Sequence, residues 1–339
     1  MADLRGGIDL GGTKIQTAII DAGGTVKGEA RHPTPTGGGP ADVAAAMAKA
    51  LVEAAKAAGV ESSDLEGVGV GSPGDVDEKA GTVSTARNLP DWEGSFPLAA
   101  ALEKDLGTKV RIGNDVQVAT EAEYHLGAGQ GLDSLIGVFW GTGVGGGLIL
   151  GGKPWLGRGA AGEIGHMVIK RGGAKCPCGR RGCMEAYAGR AAMEAEARRR
   201  QEDGEKTDLF KLMEKHDKPR LTSSIWDRAI DNGDKLAIEL IDRAIEALGT
   251  GIASAINLLD PEAIIIGGGL GLRFGERYMD ALLEEMRKHV FFETMPDVKM
   301  AALGDLGGAA AWRPTPVAKR WKTRPEGATK TATRPTSSS

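Results

Sequence analysis

The chain has 339 residues, of which 41% are hydrophobic, and a formal net charge of −4. That length exceeds one average domain, and the apolar share is enough to fill two cores. The acidic balance argues against a general nucleic-acid surface, and no run of about eighteen apolar residues is available to span a membrane.

Taken in chain order, strands are predicted at about 5–10, 14–21 and 25–31. A helix follows at about 40–59, with Val43, Met47, Ala50, Leu51 and Ala54 on one face. Strands are predicted near 66–71 and 109–113, and a helix near 115–127. Helices near 186–201, 208–216 and 222–231 lead to a long one at 234–259. In it Leu236, Leu240, Ile241, Ala244, Ile245, Leu248 and Ile252 recur at helical spacing. A short buried strand at 262–266 ends in Gly267, Gly268 and Gly269, before a helix at 276–289 and a strand at 297–303. Strands mixed with helices define an α/β class. Residues 313–339 hold seven Lys/Arg and one acid among Pro, Thr and Ser. This stretch is expected to be a disordered basic tail.

Two segments share one design. Residues 8–20 read IDLGGTKIQTAII and residues 138–150 read VFWGTGVGGGLIL. Each is an apolar strand, a glycine-threonine turn and a second apolar strand, which is a hairpin signal. Its recurrence suggests an internal duplication. Glycines at such a turn expose backbone N–H groups, and a threonine hydroxyl adds a donor, so each turn can cradle phosphate oxygens. No G-x-G-x-x-G here runs from a strand into a helix, as the dinucleotide fingerprint requires, and no P-loop G-x-x-x-x-G-K-[ST] is present. One glycine-rich turn alone is usually only a turn. Two facing each other across a cleft could hold both ends of a triphosphate.

Between the hairpins, residues 110–119 read VRIGNDVQVA. An apolar strand runs into Asn114 and Asp115, and a helix begins at once. An acid at the end of a sheet strand sits where α/β sites are found. The same residue types are favoured helix N-caps, and the two readings are compatible. Asp9, beside Gly11, Gly12 and Thr13, is either a turn-capping acid or an outer-sphere acid for Mg²⁺. Phosphoryl transfer to a hydroxyl needs a base, donors around the phosphates and that ion.

All three cysteines, Cys176, Cys178 and Cys183, fall within eight residues, with His166 ten residues upstream and Glu163 and Glu185 on either side. Three is an odd number for disulfides, and Cys176 and Cys178 are too close to pair comfortably. The chain opens without a leader sequence, so a reducing cytoplasm is expected. Three thiols and an imidazole form a tetrahedral set for Zn²⁺, and four such ligands leave no open position for water, so the metal would be structural.

In this order, DLGGTK (9–14), GSPG (71–74), Asn114-Asp115, GTGVGGG (141–147), EIGH (163–166) and the run from Cys176 to Glu185 resemble the ROK family of sugar kinases. Within it they are most similar to the bacterial glucokinases, and the resemblance covers about residues 5–312. It implies an actin-like ATPase (ribonuclease H-like) fold, with two α/β domains around a central cleft. The smaller would take 1–114 together with a returning helix at about 305–312, and the larger 115–304. The implied reaction is ATP-dependent, Mg²⁺-assisted phosphorylation of glucose at its 6-hydroxyl, with Asp115 as general base. Asn88, Asn114, Asp115, Glu163, His166 and Glu185 would bind the sugar, and His166 would share the structural Zn²⁺ with the three cysteines. Asp9, Gly11, Gly12, Thr13, Lys14, Gly141, Thr142 and Gly143 would serve the phosphates, and Gly267, Gly268 and Gly269 the ribose-adenine side. A homodimer or homotetramer is the family habit. Another hexose (fructose, mannose or an N-acetylated sugar), polyphosphate as donor, or a non-catalytic sugar sensor are the alternatives. The family's repressors carry a DNA-binding segment ahead of the first hairpin, and here only a few residues precede it.

Overall fold

In the computed structural model, residues 3–86 and 89–304 are described. Asn88, the helix expected at about 305–312 and the tail at 313–339 lie outside them. The chain begins with an antiparallel meander of β1 (Arg5–Leu10), β2 (Lys14–Ile20) and β3 (Val26–Pro33). The β1–β2 crown takes only residues 11–13, closed by Gly11 N–H donating to the Lys14 carbonyl at 2.9 Å. Next comes α1 (Gly39–Ala57), which has Pro40 in its first turn, where a missing N–H costs nothing. It buries the predicted face, Val43, Met47, Ala50, Leu51 and Ala54, on the sheet. β4 (Val68–Ser72) then pairs in parallel with β1.

Three short strands, β5 (Asp75–Asp77), β6 (Thr82–Ser84) and β7 (Ser95–Phe96), form a small antiparallel sheet. They are followed by α2 (Leu98–Leu106) and by β8 (Val110–Asn114), which runs parallel to β4. The sequence reading contains neither the small sheet nor α2. Strands of two or three residues are too short to display a period. The signal for α2 is the recurrence of Leu98, Leu102 and Leu106, all buried.

α3 (Asp115–Leu126) leaves the end of β8 and leads to a second meander, β9 (Leu135–Trp140), β10 (Val144–Leu150) and β11 (Lys153–Pro154). A long loop and four helices follow: α4 (Glu185–Ala188), α5 (Arg190–Glu202), α6 (Leu209–Lys215) and α7 (Ser223–Asp231). The chain ends with α8 (Lys235–Leu259), β12 (Ala263–Gly267), α9 (Gly268–Phe274), α10 (Met279–Arg287) and β13 (Asp297–Met300). The two large sheets have the orders β3-β2-β1-β4-β8 and β11-β10-β9-β12-β13. In each, a meander's first strand is central and two parallel strands flank its other side. The duplication suggested by the hairpins is therefore repeated in the topology. Each sheet has its own hydrophobic core.

Several boundaries differ from the sequence expectation. The helix expected at 186–201 is broken at Gly189, whose backbone is extended. Beyond the break the first N–H groups of α5 turn to the second crown: Arg190 N–H donates to the Gly141 carbonyl and Ala191 N–H to that of Thr142, both at 3.0 Å. At the triple glycine the chain does not open into a loop, because α9 starts at Gly268. The last strand stops at Met300, and α10 is shorter than the expected 276–289.

One buried acid ties the end of the second sheet's chain to α3. Glu123, 1% exposed, accepts N–H bonds from Ala128 at 2.9 Å, Ala302 at 3.0 Å and Leu303 at 2.8 Å. Leu303 packs there with Ile20 of β2 and with Ala122 and Leu126 of α3. Glu123→Ala leaves three donors without this acceptor, and each unmet buried group costs about 1–3 kcal/mol. Urea unfolding is expected to show a loss of at least about 3 kcal/mol. A midpoint equal to wild type would contradict this role.

Candidate active site

Where parallel strands end, the sheet register aligns the site. Asp9 lies opposite Gly71, and Ser72 lies opposite Asn114, so the carboxyl ends of β1, β4 and β8 form one edge. A cavity of about 430 Å³ opens against it. Asp9, Gly11 and Gly12 reach it from the first crown, and Gly141, Thr142 and Gly143 from the second. Asn114 and Asp115 come from the β8–α3 junction; Glu163, His166 and Glu185 come from the loop after β11 and the start of α4; Gly268 comes from α9. Thr13, Lys14, Gly267 and Gly269 lie outside this lining. At Gly267 the lack of a side chain has a packing reason: a Cβ would stand 2.7 Å from the Phe139 ring. Phe139 and Leu272 add apolar wall that the sequence reading did not name. Gly74, part of the quoted GSPG motif, also lines the cavity, with φ of +99° and no room for a Cβ beside the Ser84 carbonyl.

The sequence left Asp115 between helix cap and base. The structure gives the cap to its neighbour: Asn114 Oδ1 accepts the N–H of Val116 at 3.1 Å and of Gln117 at 3.2 Å. Its amide NH₂ remains as a donor. Asp115 is the first helical residue, half-buried, and its Oδ1 also accepts Val116 N–H at 2.9 Å. Gly71 makes room for it, since a Cβ there would lie 3.2 Å from Asp115 Cα. Burial pushes the Asp115 carboxyl above its ordinary value; the Val116 N–H opposes that shift and the Glu163 charge reinforces it. A carboxylate raised toward neutral pH is a better proton acceptor than an exposed one.

The thiols gather behind Glu185 and His166, outside the cavity lining. The ligand atoms of His166, Cys176, Cys178 and Cys183 lie within 4.8 Å of one another. Cys178 Sγ is 3.7 Å from Cys183 Sγ, and Cys176 Sγ is 3.7 Å from His166 Nδ1. Thiolates bound at about 2.3 Å to a tetrahedral zinc would stand about 3.8 Å apart, so the set fits that ion. Burial pushes the Cys176 thiol up to about 12 and raises Cys183, while the Arg180 backbone N–H draws Cys178 down. A cation among them would offset the cost of ionising buried sulfur. The turn is formed by Cys176 N–H on the Arg180 carbonyl and Gly179 N–H on that of Cys176.

Two side chains connect this cluster to the cavity. His166 turns Nδ1 to Cys176 and holds Nε2 3.8 Å from Glu163 Oε2. Glu185 accepts Val144 N–H through Oε2 at 3.0 Å, and its Oε1 lies 3.8 Å from Cys176 Sγ. The second crown, the thiols and the acid wall therefore share one carboxylate.

A model described as ROK family matches residues 5–313, and the chain belongs to that family. It is 32% identical over 311 residues to the glucokinase of Thermotoga maritima, covering 90% of this chain and 95% of that protein. It is also 32% identical over 313 residues to the N-acetylmannosamine kinase of Haemophilus influenzae strain Rd, covering 90% and 93%. Among solved structures it resembles the ROK family glucokinase of Streptomyces griseus in complex with glucose and AMPPNP, with 32% identity, a TM-score of 0.76 and coverage of 91% and 97%. The fold is the actin-like ATPase fold, as the motifs led one to expect.

At Gly143 a Cβ would overlap Glu185 Oε2. Gly143→Ala is expected to break the Val144–Glu185 bond and to cost about 1–3 kcal/mol, read by thermal unfolding. An unchanged melting temperature would contradict that packing.

Proposed function

We propose that the protein phosphorylates glucose at its 6-hydroxyl, with ATP as donor and Asp115 as general base. That it is an ATP-dependent sugar kinase rests on its family membership and on the kinases it resembles. The observation that carries the assignment of the base is the placement of Asp115: a half-buried carboxyl with a raised affinity for protons, on the cavity wall shared with both crowns. In this reading the 6-hydroxyl gives its proton to the Asp115 carboxylate as its oxygen attacks the terminal phosphorus, and the bridging bond from that phosphorus to the β-phosphate oxygen breaks to release ADP. The crowns' backbone N–H groups hold the transferring and bridging oxygens. Asp9 would hold Mg²⁺ through its water shell, and the ion supplies neutralising charge on the phosphates.

Asn114, Glu163, His166 and Glu185 take the sugar hydroxyls, as does Asn88 in the family's pattern. Carboxylates accept from hydroxyls in charge-assisted bonds, and a wall built for them penalises a sugar that leaves one unmet. His166, Cys176, Cys178 and Cys183 would hold Zn²⁺, which would keep the loop that carries His166 in shape and, through Glu185 beside Cys176, steady the wall. Glucose is favoured by the named glucokinases among the relatives. A second reading, an N-acetylated hexose as acceptor, is favoured by equal identity to the N-acetylmannosamine kinase. Coupled measurement of ADP release across both sugar classes separates the two. Glucose is expected to give the highest kcat/KM; a preference for an N-acetylated sugar selects the second reading, and no sugar-dependent ADP release contradicts both.

Asp115→Asn is expected to lower kcat by about 10²–10⁴-fold, the usual worth of a general base, with glucose affinity retained. The acid limb of kcat/KM should fall above the ordinary aspartate value of about 3.9. The sign for stability follows from the same raised pKa. Asp115 favours folding below its unfolded value, and that contribution is lost as pH rises through its folded value. At neutral pH the asparagine variant should therefore be at least as stable as wild type. An inactive but less stable variant would point to a structural role instead.

Elemental analysis is expected to find one zinc per chain. Cys178→Ser or a strong chelator should lower the melting temperature and raise the KM for sugar together. Fully active protein without zinc would contradict the metal assignment.

A further inference from the structure

Each crown threonine is exposed, and each is held by an arginine from the helical segment that follows the thiol loop. Thr142 Oγ1 accepts from Arg190 Nη2 at 3.0 Å. Thr13 Oγ1 accepts from Arg220 Nη2 at 3.3 Å, across 207 residues of sequence. The two arginines belong to one construction. Arg190 is buried, and its Nη1 donates to the Leu221 carbonyl at 3.2 Å. Leu221 N–H donates to Glu194 Oε2 at 3.0 Å. The backbone beside Arg220 is thus gripped on both sides, and its side chain is presented to the first crown.

Arg220 stands apart from the ion pairs around it. A second cavity, of about 460 Å³, is lined by Arg190, Arg198, Arg199 and Arg220 against Glu194 and Glu202, and it meets the first at Thr142. Arg190 and Arg198 both lie within ion-pair distance of Glu194, at 3.6 and 3.2 Å. Arg199 is matched by Glu196 and Asp203. Arg220 has no carboxylate partner among the described residues, and its charge, after burial, is what presses the Arg190 guanidinium below its usual value. A guanidinium has five donors in a planar fork that fits phosphate oxygens, and the bond from Arg220 to Thr13 uses a single donor. Two cations set beside the tips of two N–H-rich turns favour a polyanion.

We infer that Arg220 is a donor-binding residue, whose fork takes oxygens of the triphosphate where it passes between the Thr13 and Thr142 crowns. This rests on the reading of the site as a kinase with a triphosphate donor. Thr13 and Arg220 stand on opposite sides of the cleft, on the first sheet's crown and on the α6–α7 connection. A triphosphate held by both therefore draws the two sides together over the sugar and excludes water.

The test uses the full-length protein and its Arg220→Ala and Arg220→Lys variants. Initial rates are taken against ATP and against glucose, and binding of tripolyphosphate alone is measured by calorimetry. Loss of one charge-assisted contact should raise the KM for ATP and the Kd for tripolyphosphate about tenfold or more in Arg220→Ala. Arg220→Lys keeps the charge but loses the fork and should fall between. The KM for glucose and the melting temperature should not move. Values for ATP and tripolyphosphate within about twofold of wild type would overturn the inference. An equal loss of glucose affinity and thermal stability would also overturn it, by making Arg220 a structural strut. No binding of tripolyphosphate to wild type overturns it as well. If wild type releases no ADP with any sugar yet binds tripolyphosphate through Arg220, the kinase reading fails and the anion site stands.

Discussion

The Glu185 carboxylate is the group on which the site's geometry converges. One oxygen holds the return strand of the second crown at Val144, and the other faces the thiol of Cys176. Gly143 leaves the space the carboxylate occupies. Through it a change in the thiol loop is passed to the second crown and to the acid wall at once, with His166 as a second route from the thiols to Glu163. A metal held by those thiols would act at a distance, by keeping acceptors in place rather than by touching the reacting atoms.

The duplicated sheets explain why two such turns meet. Each unit places its crown at the end of its central strand, and the parallel strands of both units end toward the same cavity. The additions to this plan are asymmetric. The first unit adds a small three-stranded sheet, and the second adds the thiol loop and α4 to α7. That second addition supplies the second crown with its carboxylate and its arginine, and reaches the first crown through Arg220. Burial at the junction of β8 and α3 also sets stability against chemistry. The surroundings that raise the Asp115 pKa make its ionised form costly to fold at neutral pH.

What was legible in the sequence was what is local. The hairpins, the helices that became α1 and α8 and the clustered thiols each show their pattern within a few turns of chain. The order of the motifs carried the family. Strands as short as β7 left no pattern to read, and three successive glycines gave no sign of α9, which begins at Gly268. At the Gly189 break a Cβ would crowd Glu185 and stand 3.3 Å from Gly143 Cα, a neighbour far away in sequence. Arg190 and Arg220 drew no notice for the same reason, since their threonine partners lie 48 and 207 residues away. The cap at Asn114 needed coordinates, because either residue of the Asn114–Asp115 pair suits that position.

The central claim is that Asp115 takes the proton from the sugar's primary hydroxyl. A crystal structure of the protein with glucose and a non-hydrolysable ATP analogue tests it most directly. An Asp115 carboxylate oxygen is expected within about 3.2 Å of the sugar O6, with O6 in line with the terminal phosphorus. An O6 held instead by Glu163 or by solvent, with Asp115 turned away from it, would contradict the account.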